Sequence, residues 1–151
     1  MKPEDYRKII TNDIAKEVEA YTFYRGLTDK VKDPAMKKMF NELAGEETKH
    51  REFLQGLLAR GVTNLKFDAA KDFKVGDNIP TPALDPSMKP VDGLVVAIRR
   101  ELEAMQLYTR LAMASKEADQ KKMFTELATM ERGHKARLED IYTNMAFPEV
   151  W

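Results

Sequence analysis

A chain of 151 residues is about the size of one ordinary domain, and its 25 acidic and 25 basic residues leave it formally neutral at pH 7. It has no cysteine, so it can build no disulfide framework, zinc ribbon, FeS₄ site or iron–sulfur cluster, each of which needs thiolates. Neutrality removes any general pull toward nucleic acid or anionic lipid, and no apolar run reaches the roughly 20 residues of a membrane span. The opening MKPEDYRK has no apolar stretch behind it and does not read as a signal peptide. The expectation is a soluble, cytoplasmic protein that engages neither nucleic acid nor membrane.

The breakers are concentrated: Pro80, Pro82, Pro86 and Pro90 crowd one stretch and leave two long segments nearly free of them. In chain order, a first helix is expected over about 4–31. Asp33-Pro34 then offers an N-cap followed by proline at the first helical position, and a second helix follows over 34–59. A connection of about 30 residues, 60–90, leads to a third helix over 91–114. Ser115 and Asp119 offer caps for a break before a fourth helix over 117–144. The apolar tail 146–151 is expected to dock on the bundle or on a neighbouring subunit. The reading is all-α: one domain over 1–151, made of helical hairpins 4–59 and 91–145 joined by a long crossover.

The hairpins are copies of one another. Shifted by 84 residues, Lys37-Lys38-Met39-Phe40 falls on Lys121-Lys122-Met123-Phe124, and Glu42-Leu43-Ala44 falls on Glu126-Leu127-Ala128. Glu17, Tyr24, Glu47 and His50 fall on Glu101, Tyr108, Glu131 and His134. Residues 17–54 and 101–138 agree at 16 of 38 positions without a gap, the mark of an internal duplication.

Each helix carries an apolar stripe of the kind that faces a bundle core. The stripes run Ile10, Ile14, Glu17, Tyr21, Tyr24; then Phe40, Leu43, Glu47, His50, Leu54; then Leu94, Ile98, Glu101, Met105, Tyr108; then Phe124, Leu127, Glu131, His134, Leu138. Each is interrupted near its midpoint by a glutamate, and two have a histidine three residues further on, on the same helix face. A buried ionised carboxylate costs several kcal/mol unless compensated, and the stripes contain no lysine or arginine. Metal ions are the remaining solution: four carboxylates balance two divalent cations, and each neutral imidazole adds a nitrogen donor. Midpoint placement brings the four acids to one level whichever way each helix runs. Glu46 could share a face with His50, but its repeat partner is Met130, which selects Glu47. Glu19 and Glu103 sit off the inward face and read as surface acids.

A Glu from each of two helices with a Glu-x-x-His from each of the other two is the ligand set of ferritin-like dimetal bundles. The sequence resembles the rubrerythrin branch of that superfamily: Glu17/Tyr24 and Glu101/Tyr108 match its Glu-x₆-Tyr spacing, and Glu47/His50 and Glu131/His134 match its paired motifs. The resemblance implies a ferritin-like four-helix bundle with the second and third helices parallel. It implies two metals, iron first and manganese second. Glu47 and Glu131 bridge them, Glu17 and Glu101 are terminal ligands, and His50 and His134 cap one metal each. Tyr24 and Tyr108 are either donors to these carboxylates or plain core aromatics.

The implied activity is reduction of hydrogen peroxide or O₂. The alternatives are Fe(II) oxidation with iron storage or delivery, and a manganese catalase-like reaction. With no cysteine, electrons would come from an external, rubredoxin-like donor. Ala104 stands where the family places a further glutamate. A homodimer or larger homo-oligomer is expected, and the hairpin duplication permits a swapped one.

Overall fold

The computed structural model describes residues 3–59, 84 and 87–146. It contains α1 (Pro3–Lys30), α2 (Pro34–Ala59), α3 (Pro90–Ala114) and α4 (Ala118–Ala146), and no strand among the described residues. Local chemistry fixes the ends. Asp33 Oδ1 accepts the Ala35 N–H at 2.9 Å, with Pro34 opening α2. Pro90 opens α3. At the α3–α4 break, the Ser115 hydroxyl donates to the Leu111 carbonyl at 2.7 Å and accepts from Gln120 Nε2 at 2.9 Å. Both side chains are buried, so the turn is closed internally. Most of the crossover and the tail 147–151 lie outside the described residues, and so do the expectations placed on them.

The tightest packing is within the hairpins, α1 on α2 and α3 on α4. Between the hairpins the gap is bridged by long side chains, and these form two apolar clusters. One joins the C-terminal half of α1 (Ala20, Phe23, Tyr24, Leu27) and the N-terminal half of α2 (Phe40, Leu43, Ala44) to Leu94, Ala97, Leu138 and Ile141. The other joins Tyr6 and Ile10 to Leu54, Leu57, Tyr108, Leu111, Phe124 and Leu127. The N-terminal halves of α2 and α3 share one cluster and their C-terminal halves share the other. These two helices are therefore parallel, and α1 and α4 run against them. This is the ferritin-like arrangement.

One stripe residue is corrected. Tyr21 is more than a third exposed, while Ala20 and Phe23 are buried. Tyr21 borders a surface groove with Ala44, Gly45 and Thr48, where the small residues of α2 leave its ring uncovered. Phe23 takes the buried place on the other flank because α3 presents Gly93 there: a Cβ on Gly93 would run into the Phe23 ring.

Candidate metal centre

The two apolar clusters are separated by a polar layer. In α2 the succession Leu43, Glu47, His50, Leu54, Leu57 steps by four and three residues. In α4 Leu127, Glu131, His134, Leu138, Ile141 does the same. All ten residues are buried, so the register that sends the leucines inward must also send the glutamates and histidines inward. Glu17 and Glu101 reach the same layer from α1 and α3 and are buried as well.

His50 Nδ1 lies 2.9 Å from Glu17 Oε1 and 2.7 Å from Glu131 Oε1. His134 Nδ1 lies 3.4 Å from Glu47 Oε1, 3.8 Å from Glu101 Oε1 and 3.9 Å from Glu131 Oε2. The 84-residue shift maps the His50–Glu17 contact onto His134–Glu101 and the His50–Glu131 contact onto His134–Glu47. The sequence duplication has become a pseudo-two-fold axis through the site. All six expected ligands converge. Asp13, Glu17 and His50 form one group, and Glu47, Glu101 and His134 another; in each, one possible ligand atom per residue lies within 4.8 Å of the others.

The donor set fits metal. Glu17 Oε2 and Glu101 Oε2 are buried without a hydrogen-bond partner among the described residues, and Glu131 Oε1 and Glu47 Oε1 are met by the two imidazoles, at 2.7 and 3.4 Å, so two histidines are shared among four buried carboxylates. Orphaned buried acceptors are rare, and here they lie in one layer. In the metal-free chain, protons supply part of the missing positive charge. Burial pushes Glu101 well above the carboxylate range, reinforced by Glu131 and Glu47. Burial alone would pull both histidines down. Glu131, Asp13 and Glu47 override it at His50, and Glu47, Glu131 and Glu46 override it at His134, so both end above the usual value. Glu131 is the member held low: burial opposes this, but Glu101 and the two histidines outweigh it. Each bound proton marks a place where a cation is wanted.

The tyrosines divide. Both rings are fully buried, and each meets other rings, Tyr24 at 5.8 Å from Phe23, Tyr108 at 5.9 Å from His50 and stacked at 6.4 Å on Phe124, but the hydroxyls differ: that of Tyr108 donates to Asp13 Oδ2. The Tyr24 hydroxyl has no hydrogen-bond partner among the described residues. Burial, then Glu101 and Glu131, push its pKa well above the usual value, so it stays protonated. It lines a cavity of about 20 Å³ together with Asp13, Glu17, Glu47, Glu101 and Glu131, which is room for a water-sized molecule.

Two residues were not among the candidate ligands. Asp13 is buried, and its carboxyl is pushed up to about 7, first by burial and then by Glu131. Glu46 Oε2 lies 3.0 Å from His134 Nε2, and Oε1 of the same carboxylate accepts from Arg137 at 2.6 Å. Their repeat partners are Ala97 and Met130, so a search by internal identity passes over both. Asp13 could have been found by its place four residues before Glu17, one turn away on the same face.

Comparison with solved structures agrees with this fold. A hypothetical protein from Pyrococcus furiosus superposes with a TM-score of 0.69 at 28% identity, covering 91% of this chain and 88% of that one. A Thermotoga maritima protein described as a ferritin-like diiron-carboxylate protein gives 0.68 at 22% identity, covering 96% and 97%. No curated protein matches, and no helix among the described residues is long and apolar enough to cross a membrane. The rubrerythrin family model matches residues 8–77 and 92–150, which include all six converging side chains: the chain belongs to the rubrerythrin family.

Proposed function

We propose that the chain is a rubrerythrin-like oxidoreductase whose six ligands hold two iron ions and whose substrate is hydrogen peroxide or O₂, with electrons from an external protein donor. The observation that carries this is the pair of facing ligand groups, buried, rich in carboxylate and short of hydrogen-bond partners, on either side of a pseudo-two-fold axis. Carboxylate with imidazole suits iron and manganese, and the diiron description of the Thermotoga maritima neighbour favours iron. Two iron ions held there would supply the paired electrons that cleave an O–O bond.

The remaining work falls to the chain. Glu17, Glu47, Glu101 and Glu131 hold the charge, and His50 and His134 cap the two ends. The cavity of about 20 Å³ admits only a very small molecule. Tyr24, protonated and unpartnered in its wall, has a hydrogen bond to give to an oxygen atom placed there. Ala97, Ala104 and Leu84 form the apolar part of the wall, and Lys16 and Arg100 also line it.

The test is stopped-flow spectroscopy of the Fe(II)-loaded protein mixed with peroxide and, separately, with O₂. Faster oxidation by peroxide is expected, lost in Glu131→Ala. Preferential reaction with O₂ accompanied by mineral growth would assign the chain to iron storage. A folded protein that binds well under two metals per chain, with no change in Glu47→Ala, would remove the centre itself.

A further inference from the structure

The duplication is broken at the metal layer. Position 13 is aspartate and its repeat partner, position 97, is alanine. The hydroxyls of the repeat-related tyrosines follow suit: Tyr108 donates to Asp13, whereas Tyr24, whose corresponding partner would stand at Ala97, has none among the described residues. We propose that Asp13 is a seventh ligand, belonging to the Glu17/His50 position alone, and that it makes this position fill before the Glu101/His134 position. The inference rests on the dimetal reading above.

Three observations place Asp13 on the metal. It is 4% exposed and lies one helical turn from Glu17. It offers an oxygen within 4.8 Å of the ligand atoms of both Glu17 and His50. The bond from Tyr108 does not consume it, because a carboxylate accepts at two oxygens. That bond orients it instead, and the Tyr108 ring is itself held between His50 and Phe124. The Glu17/His50 position thus carries one more negative charge than its twin, and the number of charged ligands is what chiefly sets the affinity of a carboxylate site. Glu46, half-buried, also departs from the repeat, but it adds no charge to the facing ligand atoms. It approaches His134 at Nε2, away from the facing carboxylates, and shares its charge with Arg137.

The chain has only two histidines, and each reports one position. Protein labelled with ¹⁵N-histidine is titrated with Zn(II) and followed by NMR, with the ring signals assigned through His134→Gln. At half an equivalent, the His50 signals are expected to show about tenfold more metal-bound population than those of His134. Asp13→Asn, which keeps an acceptor for Tyr108, should bring the two within about twofold. Ala97→Asp should do the same from the other side, and it decides the matter even if Asp13→Asn fails to fold. Equal filling in the wild type, filling of His134 first, or an undiminished His50 preference in either variant would overturn the assignment. Failure of either histidine to bind Zn(II) at all would instead overturn the dimetal reading.

Discussion

At the residue scale, the proposed centre separates groups that would hold metal from groups that would tune it. Glu46 would tune. Its carboxylate meets the far nitrogen of His134 and is anchored by Arg137, the arrangement that fixes a ligating imidazole's tautomer and raises its basicity. His50 has no equivalent, since Met130 stands at the repeat position and His50 Nε2 is without a hydrogen-bond partner among the described residues. Glu46→Gln should weaken metal binding at the His134 position and leave the His50 position unchanged, widening the preference for His50, read by calorimetric titration. Asp13 carries a stability cost that can be measured without metal. Its folded-state pKa of about 7 stands above the ordinary 3.8. The folded chain therefore holds that proton more tightly than the unfolded chain does. The stability it confers is complete below pH 3.8 and lost as pH rises through 7, an effect on the order of 4 kcal/mol at most. Metal-free Asp13→Asn should accordingly be more stable than the wild type at pH 8, by about 1–3 kcal/mol, and should show little or no gain at pH 4. Urea unfolding at the two values checks it; a gain of equal size at both would contradict the assignment.

At the element scale, the helices were legible because each long segment carries one stripe and well-marked ends: Asp33-Pro34 caps α2 as the sequence indicates. The ligands were legible because a glutamate in an apolar stripe is conspicuous, and four at repeated positions more so. Tyr21 was misplaced because its neighbours on α2 are what decide its burial. Ala44 and Gly45 lie far from it in sequence, and no periodicity within α1 registers them. Gly93 shows the same dependence on the partner helix. Its missing side chain makes room for Phe23, so Gly93→Ala should destabilise by about 1–3 kcal/mol through overpacking, even though alanine is the better helix former by up to about 1 kcal/mol. Gly45 and Gly133 are exposed, helical and open to an added Cβ, so alanine at either should stabilise by about 0.5–1 kcal/mol. Thermal melts of the three variants should show opposite signs, and a stabilised Gly93→Ala would refute the packing argument.

At the scale of the whole molecule, the core is two apolar clusters with a charged layer between them. Metal therefore affects the stability of the entire bundle. Without metal, protons bind the layer together, and the signs can be worked group by group. Glu101, Asp13, His50 and His134 all have raised values, so the stability each contributes is present at low pH and lost as pH climbs through its folded-state value. Glu131 is lowered, so its contribution is present above its ordinary 4.5 and lost only as pH falls through the depressed value. The metal-free bundle should thus be most stable on the acid side of neutrality and lose stability as pH rises through about 7, where Asp13 titrates. Metal reverses the slope, because ligands must shed their protons to bind it. Ions at about a thousand times their dissociation constant add about 4 kcal/mol per site, which in a chain of this size raises the melting temperature by on the order of 10 °C or more. Melting temperatures of metal-free and Fe(II)-loaded protein, taken anaerobically, should therefore lie close together near pH 5.5 and diverge toward pH 8.5. Chelator should collapse the upper curve onto the lower. A metal-free protein that gains stability between pH 6 and pH 8.5 would show that the layer is not held by protons, and with that the case for metal as their replacement would fall.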